Sequence, residues 1–399
     1  MKIKSKILFF CLTLMIVYSF SAMAWAGKIA PQEYLQTDVP PNVPIIQHSE
    51  KTAPIINATG AILLDAETGS VLYQKNGFQL LPPASTTKIL TALLVLDMDI
   101  LAEETTVSGF AAAVGESSAN LQTGEIFTVE SLLKGALVKS ANDTCFALGE
   151  ALAGSEPLFV HLMNIKAETI GAYDAVLANT NGLPAENHYL SAYDLALIAR
   201  ENLCNQLFRE IVSSKYLKMT GGNYTRSFKN TNKLLWQNQY VIGIKTGTTD
   251  KAGQCLVSAM NRNGRTVIAV VLNSPDRFRE SLRLLNYGID NFQNLKYIDK
   301  DERAGFFPLK NSHNGSFCLT ESAGVITIPK NENIDIDAEY HWEDSKNHIK
   351  AGETLGTLVL KQGKNELQYV NLQAETTAKT KFPFDFWHNL KERIKRIFV

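Results

Sequence analysis

Pro82-Pro83-Ala84-Ser85-Thr86-Thr87-Lys88-Ile89-Leu90-Thr91-Ala92-Leu93-Leu94-Val95-Leu96 is the stretch that decides the fold. Its two prolines stop the preceding strand from running on into the next element. Ile89 to Leu96 is apolar on every side, which predicts a helix buried at the centre of a domain. Upstream, Ala61 to Asp65 and Ser70 to Gln74 read as short strands around Glu67-Thr68-Gly69, a hairpin pattern. Downstream, Val129 to Lys139 and Thr144 to Leu152 read as helices with Ser140-Ala141-Asn142-Asp143 between them. Ser191-Ala192-Tyr193-Asp194 is a capping box that opens a helix reaching Leu203. Tyr240 to Lys245, Gln254 to Asn261 and Arg265 to Leu272 read as strands, with Asn263-Gly264 as the turn between the last two. Arg279 to Phe292 reads as a closing helix. Helices between flanking strand runs predict an α/β (α+β) fold: an antiparallel sheet with helices on its faces.

The ends have a different character. Lys2, Lys4 and Lys6 precede an apolar run from Ile7 to Ala22, and Ala22-Met23-Ala24 and Ala24-Trp25-Ala26 offer small-x-small cleavage sites. Residues 1–26 therefore read as a signal peptide, too short in its apolar part for a full span. Residues 27–55 hold Pro31, Pro40, Pro41, Pro44 and Pro54 with little periodicity, a leader before the fold. Past residue 300, Phe317 to Leu319, Val325 to Ile328, Ile334 to Asp337 and Thr354 to Leu360 are short strand-like runs separated by Gly, Asn and Asp. The expected order is a signal peptide (1–26), the leader (27–55), a catalytic domain (56–296), a small β-rich domain (297–378) and a terminal amphipathic helix (382–399).

Composition narrows the function. At 399 residues, with 45% hydrophobic and 20% charged, the chain suits two or more globular domains. Without residues 1–26 it carries 36 basic against 40 acidic residues, a net charge of −4. That excludes a polyanion binder, so no nucleic acid partner is expected. Cys145, Cys204, Cys255 and Cys318 allow disulfides in an exported protein, although Cys145 and Cys255 lie in apolar runs and read as buried thiols. Neither His-x-x-x-His nor Cys-x-x-Cys spacing occurs, so no metal and no cofactor is called for.

Three short patterns carry chemistry: Ser85-x-x-Lys88, Ser140-x-Asn142 and Lys245-Thr246-Gly247-Thr248. Each pattern type is weak alone. Ser131-x-x-Lys134, Ser118-x-Asn120 and Ser312-x-Asn314 match as well. Context separates them: only Ser85 opens a buried helix after a chain break, and only Ser140 sits between two helices where it could face a cleft. Ser85 and Lys88 share one helix face. A serine hydroxyl is a poor nucleophile until a base takes its proton. Neutral Lys88 is that candidate base, with burial and nearby Lys245 lowering its pKa. Ser140 is placed to pass a proton to a leaving amine, and Asn142 to hold Lys88. Lys245, on an otherwise apolar strand, suits a carboxylate. Thr246 and Thr248 add hydroxyls, and Gly247 leaves room for a substrate lying along the strand as an added one.

The three patterns in this order resemble the active site of penicillin-binding proteins and serine β-lactamases. With Asn181-Gly182-Leu183, His188-Tyr189 and Thr249-Asp250-Lys251-Ala252-Gly253, the chain resembles the low-molecular-mass D-alanyl-D-alanine carboxypeptidases from about Ala61 to Phe292. The resemblance implies an oxyanion hole from the backbone N–H groups of Ser85 and Thr248. It also implies hydrolysis of the terminal D-Ala from peptidoglycan stem pentapeptides through an acyl-enzyme on Ser85, with β-lactam antibiotics acylating the same serine. A D,D-endopeptidase would share every motif, and a non-catalytic scaffold of the same fold is the alternative from another class. Ala141, Thr248 and Asn181 stand where many members have Gly, His and His, which bears on substrate preference and turnover. Finally, Phe386, Trp387, Leu390, Ile394, Ile397 and Phe398 fall on one helical face, with Lys391, Arg393, Lys395 and Arg396 around it. This predicts a helix lying on an anionic membrane surface, and hence a peripheral protein on the outer face of the cytoplasmic membrane.

Overall fold

Strand β1 (Gly60–Asp65) is buried at every position, which a single packed sheet face cannot explain. The computed structural model accounts for it. It describes residues 40, 43–46, 53–310, 312–332 and 334–380; the expected signal peptide, most of the leader and the terminal helix lie outside the described residues. Strands β1, β2 (Val71–Lys75), β3 (Val241–Thr249), β4 (Gly253–Arg262) and β5 (Arg265–Leu272) form one sheet in the order β2-β1-β5-β4-β3. All its pairings are antiparallel. Successive side chains of a strand point to opposite faces. Ile62 and Leu64 accordingly join one apolar core, and Ala61 and Leu63 a second.

The first core lies between the sheet and helices α1 (Lys88–Asp97), α2 (Asn142–Ala153), α3 (Glu156–Thr169) and α4 (Ala192–Leu203). The all-round apolar run behaves as expected: Lys88 through Val95 are all buried. Each fully buried Leu or Ile there contributes about 1.5–3 kcal/mol by leaving water. The capping box at Ser191 and Asp194 is present in both directions. The second core lies under α5 (Arg277–Asn291) and continues into the C-terminal β-strands through Ile326, Leu360 and Val370.

Some boundaries differ from the sequence reading. The helix expected over Val129–Lys139 is α-helical only to Lys134 and ends in a π turn, Gly135–Lys139. Gly135 is pressed against Met219 and Thr144, each 2.9 Å from where a Cβ would lie. The strand expected at Ile334–Asp337 runs instead over Asp337–Trp342, fully exposed along an edge. Ile334 and Ile336 carry the apolar pattern that marked the earlier position, but they pack on the second core from outside the strand. The chain leaves α5 directly into a strand, Phe292–Ile298, which pairs with Gly324–Pro329. A second five-stranded sheet follows, from Arg303–Pro308 to Asn365–Ala374. The four described cysteines are free thiols, with Cys145, Cys255 and Cys318 buried and Cys204 exposed.

A buried ion pair fastens these parts. The fully buried Asp65 carboxylate accepts from the backbone N–H groups of Glu67 and Thr68, both at 3.0 Å, and from Arg265 Nε at 2.9 Å. Arg265 Nη1 donates to the carbonyls of Gly288 and Phe292 at the end of α5, at 2.7 and 2.8 Å. Asn294, on the next strand, donates to Asp65 and accepts from Thr327. Removing one partner strands a buried charge, at a cost of roughly 3–5 kcal/mol. Arg265→Ala is therefore expected to lower the unfolding free energy from urea titration by that amount, and Asp65→Asn in the same chain to recover part of the loss. A change below about 1 kcal/mol would show that the pair does not hold the parts together.

Candidate active site

The turn that carries Ser85 is held from three sides. Ser85 sits in a 3-10 turn, Ala84–Thr87, running straight into α1. In 3-10 geometry residues i and i+3 eclipse, which brings Ser85 over Lys88. Ala84, just before the serine, has φ 51°, a conformation that bulkier residues rarely adopt. Gly182 (φ +87°) lies so close that an added Cβ would fall 1.9 Å from the Ala84 carbonyl oxygen. A Cβ on Gly247 would fall 3.0 Å from both the Ser85 nitrogen and the Pro83 oxygen. Gly182, on the loop before α4, is therefore a steric requirement of the turn, while Gly247, on edge strand β3, packs so tightly that a Cβ would make its neighbours give by a few tenths of an ångström.

Lys88 is fully buried, and its Nζ has three neighbours. It donates to Asn142 Oδ1 at 2.8 Å and to the Asn181 carbonyl at 2.6 Å, and it lies 2.8 Å from Ser85 Oγ. A neutral amine has two N–H donors and one lone pair. The two carbonyl oxygens can only accept, so the lone pair is left facing the serine hydroxyl. Burial lowers the Lys88 pKa to about 8, against an opposing pull from Cys145, Asp143 and Glu116. The lowering expected from Lys245 is not among the causes; burial does the work. The repulsion falls instead on Lys245, pushed well below its ordinary value first by burial and then by Lys88.

The other expected residues converge on the same place. Ser140 follows the π turn in a left-handed conformation (φ 65°). Asn142 opens α2, donates from Nδ2 to the Gly115 carbonyl at 3.0 Å and from its backbone N–H to the Ser117 carbonyl at 2.7 Å. Ser85, Ser140, Asn142, Thr246, Gly247 and Thr248 all line one open cleft of about 570 Å³. Lys245 is 1% exposed and lies behind that wall, donating to the Thr246 carbonyl at 2.9 Å. The competing patterns serve structure. Ser131 Oγ donates to the Thr220 carbonyl, Lys134 pairs with Glu130 on the surface, and Ser118 Oγ donates to the Asp143 carboxylate.

Two residues that the sequence reading gave no role in the site join it. Arg277, the first residue of α5, lines the cleft and donates from Nη1 to Thr248 Oγ1 at 2.6 Å and to the Gly247 carbonyl at 2.7 Å. It places a cation among the hydroxyls of β3. No local pattern marks it; only the meeting of α5 with β3 does. His188 accepts at Nδ1 from the Ala178 N–H at 2.9 Å, so its proton is on Nε2, 2.8 Å from Thr87 Oγ1. The threonine in turn donates to the Ala84 carbonyl at 2.9 Å. Burial, then the Lys88 charge, lowers the His188 pKa to about 4, which keeps this ring neutral and the chain of donors fixed.

A hydroxyl against the lone pair of a buried amine, a second hydroxyl nearby and a cationic end to the cleft suit acyl transfer from an anionic substrate. Comparison with known proteins points the same way. Residues 47–276 match the D-alanyl-D-alanine carboxypeptidase family (peptidase S11), and residues 309–380 match the C-terminal domain of penicillin-binding protein 5. D-alanyl-D-alanine carboxypeptidase DacF of Bacillus subtilis is 32% identical over 79% of this chain and 85% of its own length. DacC of Escherichia coli is 31% identical over 77% of this chain and 80% of its own. Among solved structures, penicillin-binding protein 5 of Haemophilus influenzae superposes with a TM-score of 0.73 at 27% identity, covering 82% of this chain and 99% of that one. The chain belongs to the D-alanyl-D-alanine carboxypeptidase family of low-molecular-mass penicillin-binding proteins.

Proposed function

We propose that Ser85 is the nucleophile, and Lys88 its base, in the serine-type D-alanyl-D-alanine carboxypeptidase reaction that this chain performs. The observation that carries the assignment is the set of three contacts at Lys88 Nζ. Lys88 takes the hydroxyl proton as Ser85 Oγ attacks the carbonyl between the two D-Ala residues. The oxyanion forms against the backbone N–H groups of Ser85 and Thr248, fixed donors aimed at charge that appears only in the transition state. Ser140 passes the proton from Lys88 to the amine of the terminal D-Ala, which leaves. Water then cleaves the ester and returns the proton to Ser85. Asn142 holds Lys88 throughout. Thr246, Gly247 and Thr248 seat the substrate along β3, Arg277 meets its terminal carboxylate, and Lys245 adds positive charge from behind.

The substrate in this reading is the peptidoglycan stem pentapeptide, and β-lactams acylate the same serine. The catalytic part extends over 56–296 and the β-rich part over 297–378. Residues 1–26 direct export, and residues 382–399 hold the enzyme on the outer face of the cytoplasmic membrane. Among the described residues no helix is long and apolar enough to cross a membrane. A surface helix would act through interfacial burial of its apolar face and attraction of its Lys and Arg to anionic lipid.

Three tests address this reading. A pentapeptide ending in D-Ala-D-Ala should release D-Ala with the wild type and not with Ser85→Ala, while both unfold alike. A fluorescent penicillin adduct mapped by mass spectrometry to Ser131 or Ser140 would remove Ser85 from the role. For Lys88 the sign is fixed by its chemistry: the neutral form is active and the folded pKa lies near 8. The acylation rate should rise about tenfold per pH unit below that value and level off above it. Lys88→Arg should be nearly inert at every pH, because a guanidinium does not give up its proton; appreciable activity there makes another group the base. Deleting residues 382–399 from the mature enzyme should abolish sedimentation with anionic vesicles and leave turnover of the soluble peptide intact. A truncated enzyme that still sediments would assign membrane attachment elsewhere.

A further inference from the structure

One acidic side chain lines the cleft, Glu116, and it belongs to none of the three motifs. Its backbone is in the left-handed region (φ 62°), an arrangement that costs a non-glycine residue energy and persists only when its surroundings impose it. Asn142 does so from both sides. Its amide donates to the Gly115 carbonyl and its backbone N–H to the Ser117 carbonyl, the residues flanking Glu116. The same asparagine accepts from Lys88 Nζ, so Glu116 rides on the frame that holds the base. The Glu116 side chain is exposed and makes no hydrogen bond or ion pair among the described residues. Its charge also reaches Lys88, which it favours in the protonated form. The cleft therefore has two poles: Arg277 beside Thr248, and a rigidly carried, unpaired carboxylate at Glu116.

We propose that Glu116 forms a subsite for a cationic group on the acyl portion of the substrate. This rests on the carboxypeptidase reading above, in which the terminal carboxylate lies toward Arg277. The acyl portion is the peptide on the other side of the scissile carbonyl. In an uncross-linked stem peptide, the group of matching chemistry is the free side-chain amine of the diamino residue. Cross-linking converts that amine to an uncharged amide, so Glu116 gives the enzyme a preference for stems that have not been acylated there.

The test uses two synthetic pentapeptides ending in D-Ala-D-Ala. They differ only in whether the lysine preceding the D-Ala pair carries a free or an acetylated side-chain amine. Glu116 is exposed, so the effect is of the size of a surface ion pair. We expect kcat/KM for D-Ala release by the full-length enzyme to favour the free amine by about two- to fivefold, carried in KM. The preference should shrink as salt is raised. Glu116→Gln should bring the ratio of the two peptides to about one, and Glu116→Lys should invert it. A wild type that does not distinguish the peptides, or a Glu116→Gln ratio equal to that of the wild type, overturns the subsite. So does slower loss of a penicillin adduct in Glu116→Gln with the peptide preference intact, which would give Glu116 a role in hydrolysis instead. Failure to release D-Ala from either peptide, with the wild type folded, overturns the carboxypeptidase reading itself and the subsite with it.

Discussion

The site depends on keeping an amine buried without a carboxylate bonded to it. Lys88 is fully buried, and among the described residues no acidic side chain is in hydrogen-bond contact with it, only the Asn142 amide oxygen, the Asn181 carbonyl and the Ser85 hydroxyl. A bonded carboxylate would hold its proton on; burial alone would push it off far more strongly. The structure sits between these extremes. Asp143 and Glu116 act at a distance, and Asp143 spends its hydrogen bonds on Ser118, Ala119 and Leu121 instead of on the lysine. The outcome is a pKa of about 8 for Lys88, the proposed base, near the range in which general-base catalysis is most effective.

That chemistry needs Ser85 fixed to within a few tenths of an ångström, and the fold supplies rigidity through backbone contacts. Gly182 lets its loop approach the Ala84–Thr87 turn more closely than any side chain permits, and Gly247 brings β3 tightly against the same turn. The His188–Thr87–Ala84 chain then fixes the carbonyl preceding the serine. Each of these segments also carries part of the site: Asn181 precedes Gly182, and Thr246 and Thr248 flank Gly247. In the proposed mechanism the segments that seat the substrate therefore also position Ser85, and neither can move without disturbing the other task.

Much of this was legible in the sequence because it is local or periodic. The buried helix after Ser85 follows from an unbroken apolar run, and the sheet strands from short runs bounded by turn residues. The two-sided burial of β1 and β5 explains why those strands read as continuous apolar runs. What was not legible is what depends on elements meeting. Arg277 has no signature, because its partners are 29 and 30 residues away on another strand. His188 carries part of the family resemblance, but its role follows only from the partners of its two nitrogens. The π turn and the left-handed Ser140 arise where Gly135 is wedged against Met219 and Thr144, a packing event with no propensity signal. The strand at Asp337–Trp342 was displaced in the reading for a related reason. Its fully exposed edge lacks an apolar face, while Ile334 and Ile336 supply one just outside it.

The two buried lysines show how far position outweighs residue type. Both are essentially inaccessible, and burial is the main force lowering the pKa of each. They differ in company. Lys88 has acidic groups within electrostatic range and a hydroxyl at its lone pair. Lys245 has Lys88 and Arg277 for neighbours and bonds to the carbonyl of the adjacent Thr246. The same amine is thus brought to a pKa of about 8 against a hydroxyl in one place, and in the other lies behind hydroxyls and a guanidinium that face the cleft. A carboxylate arriving at Thr246, Thr248 and Arg277 would supply the negative charge that Lys245 lacks. It would do so where the low local dielectric makes the attraction strongest. Roles that the sequence assigns by motif are therefore separated physically by the sign of the nearest charge and by which atom faces the lone pair.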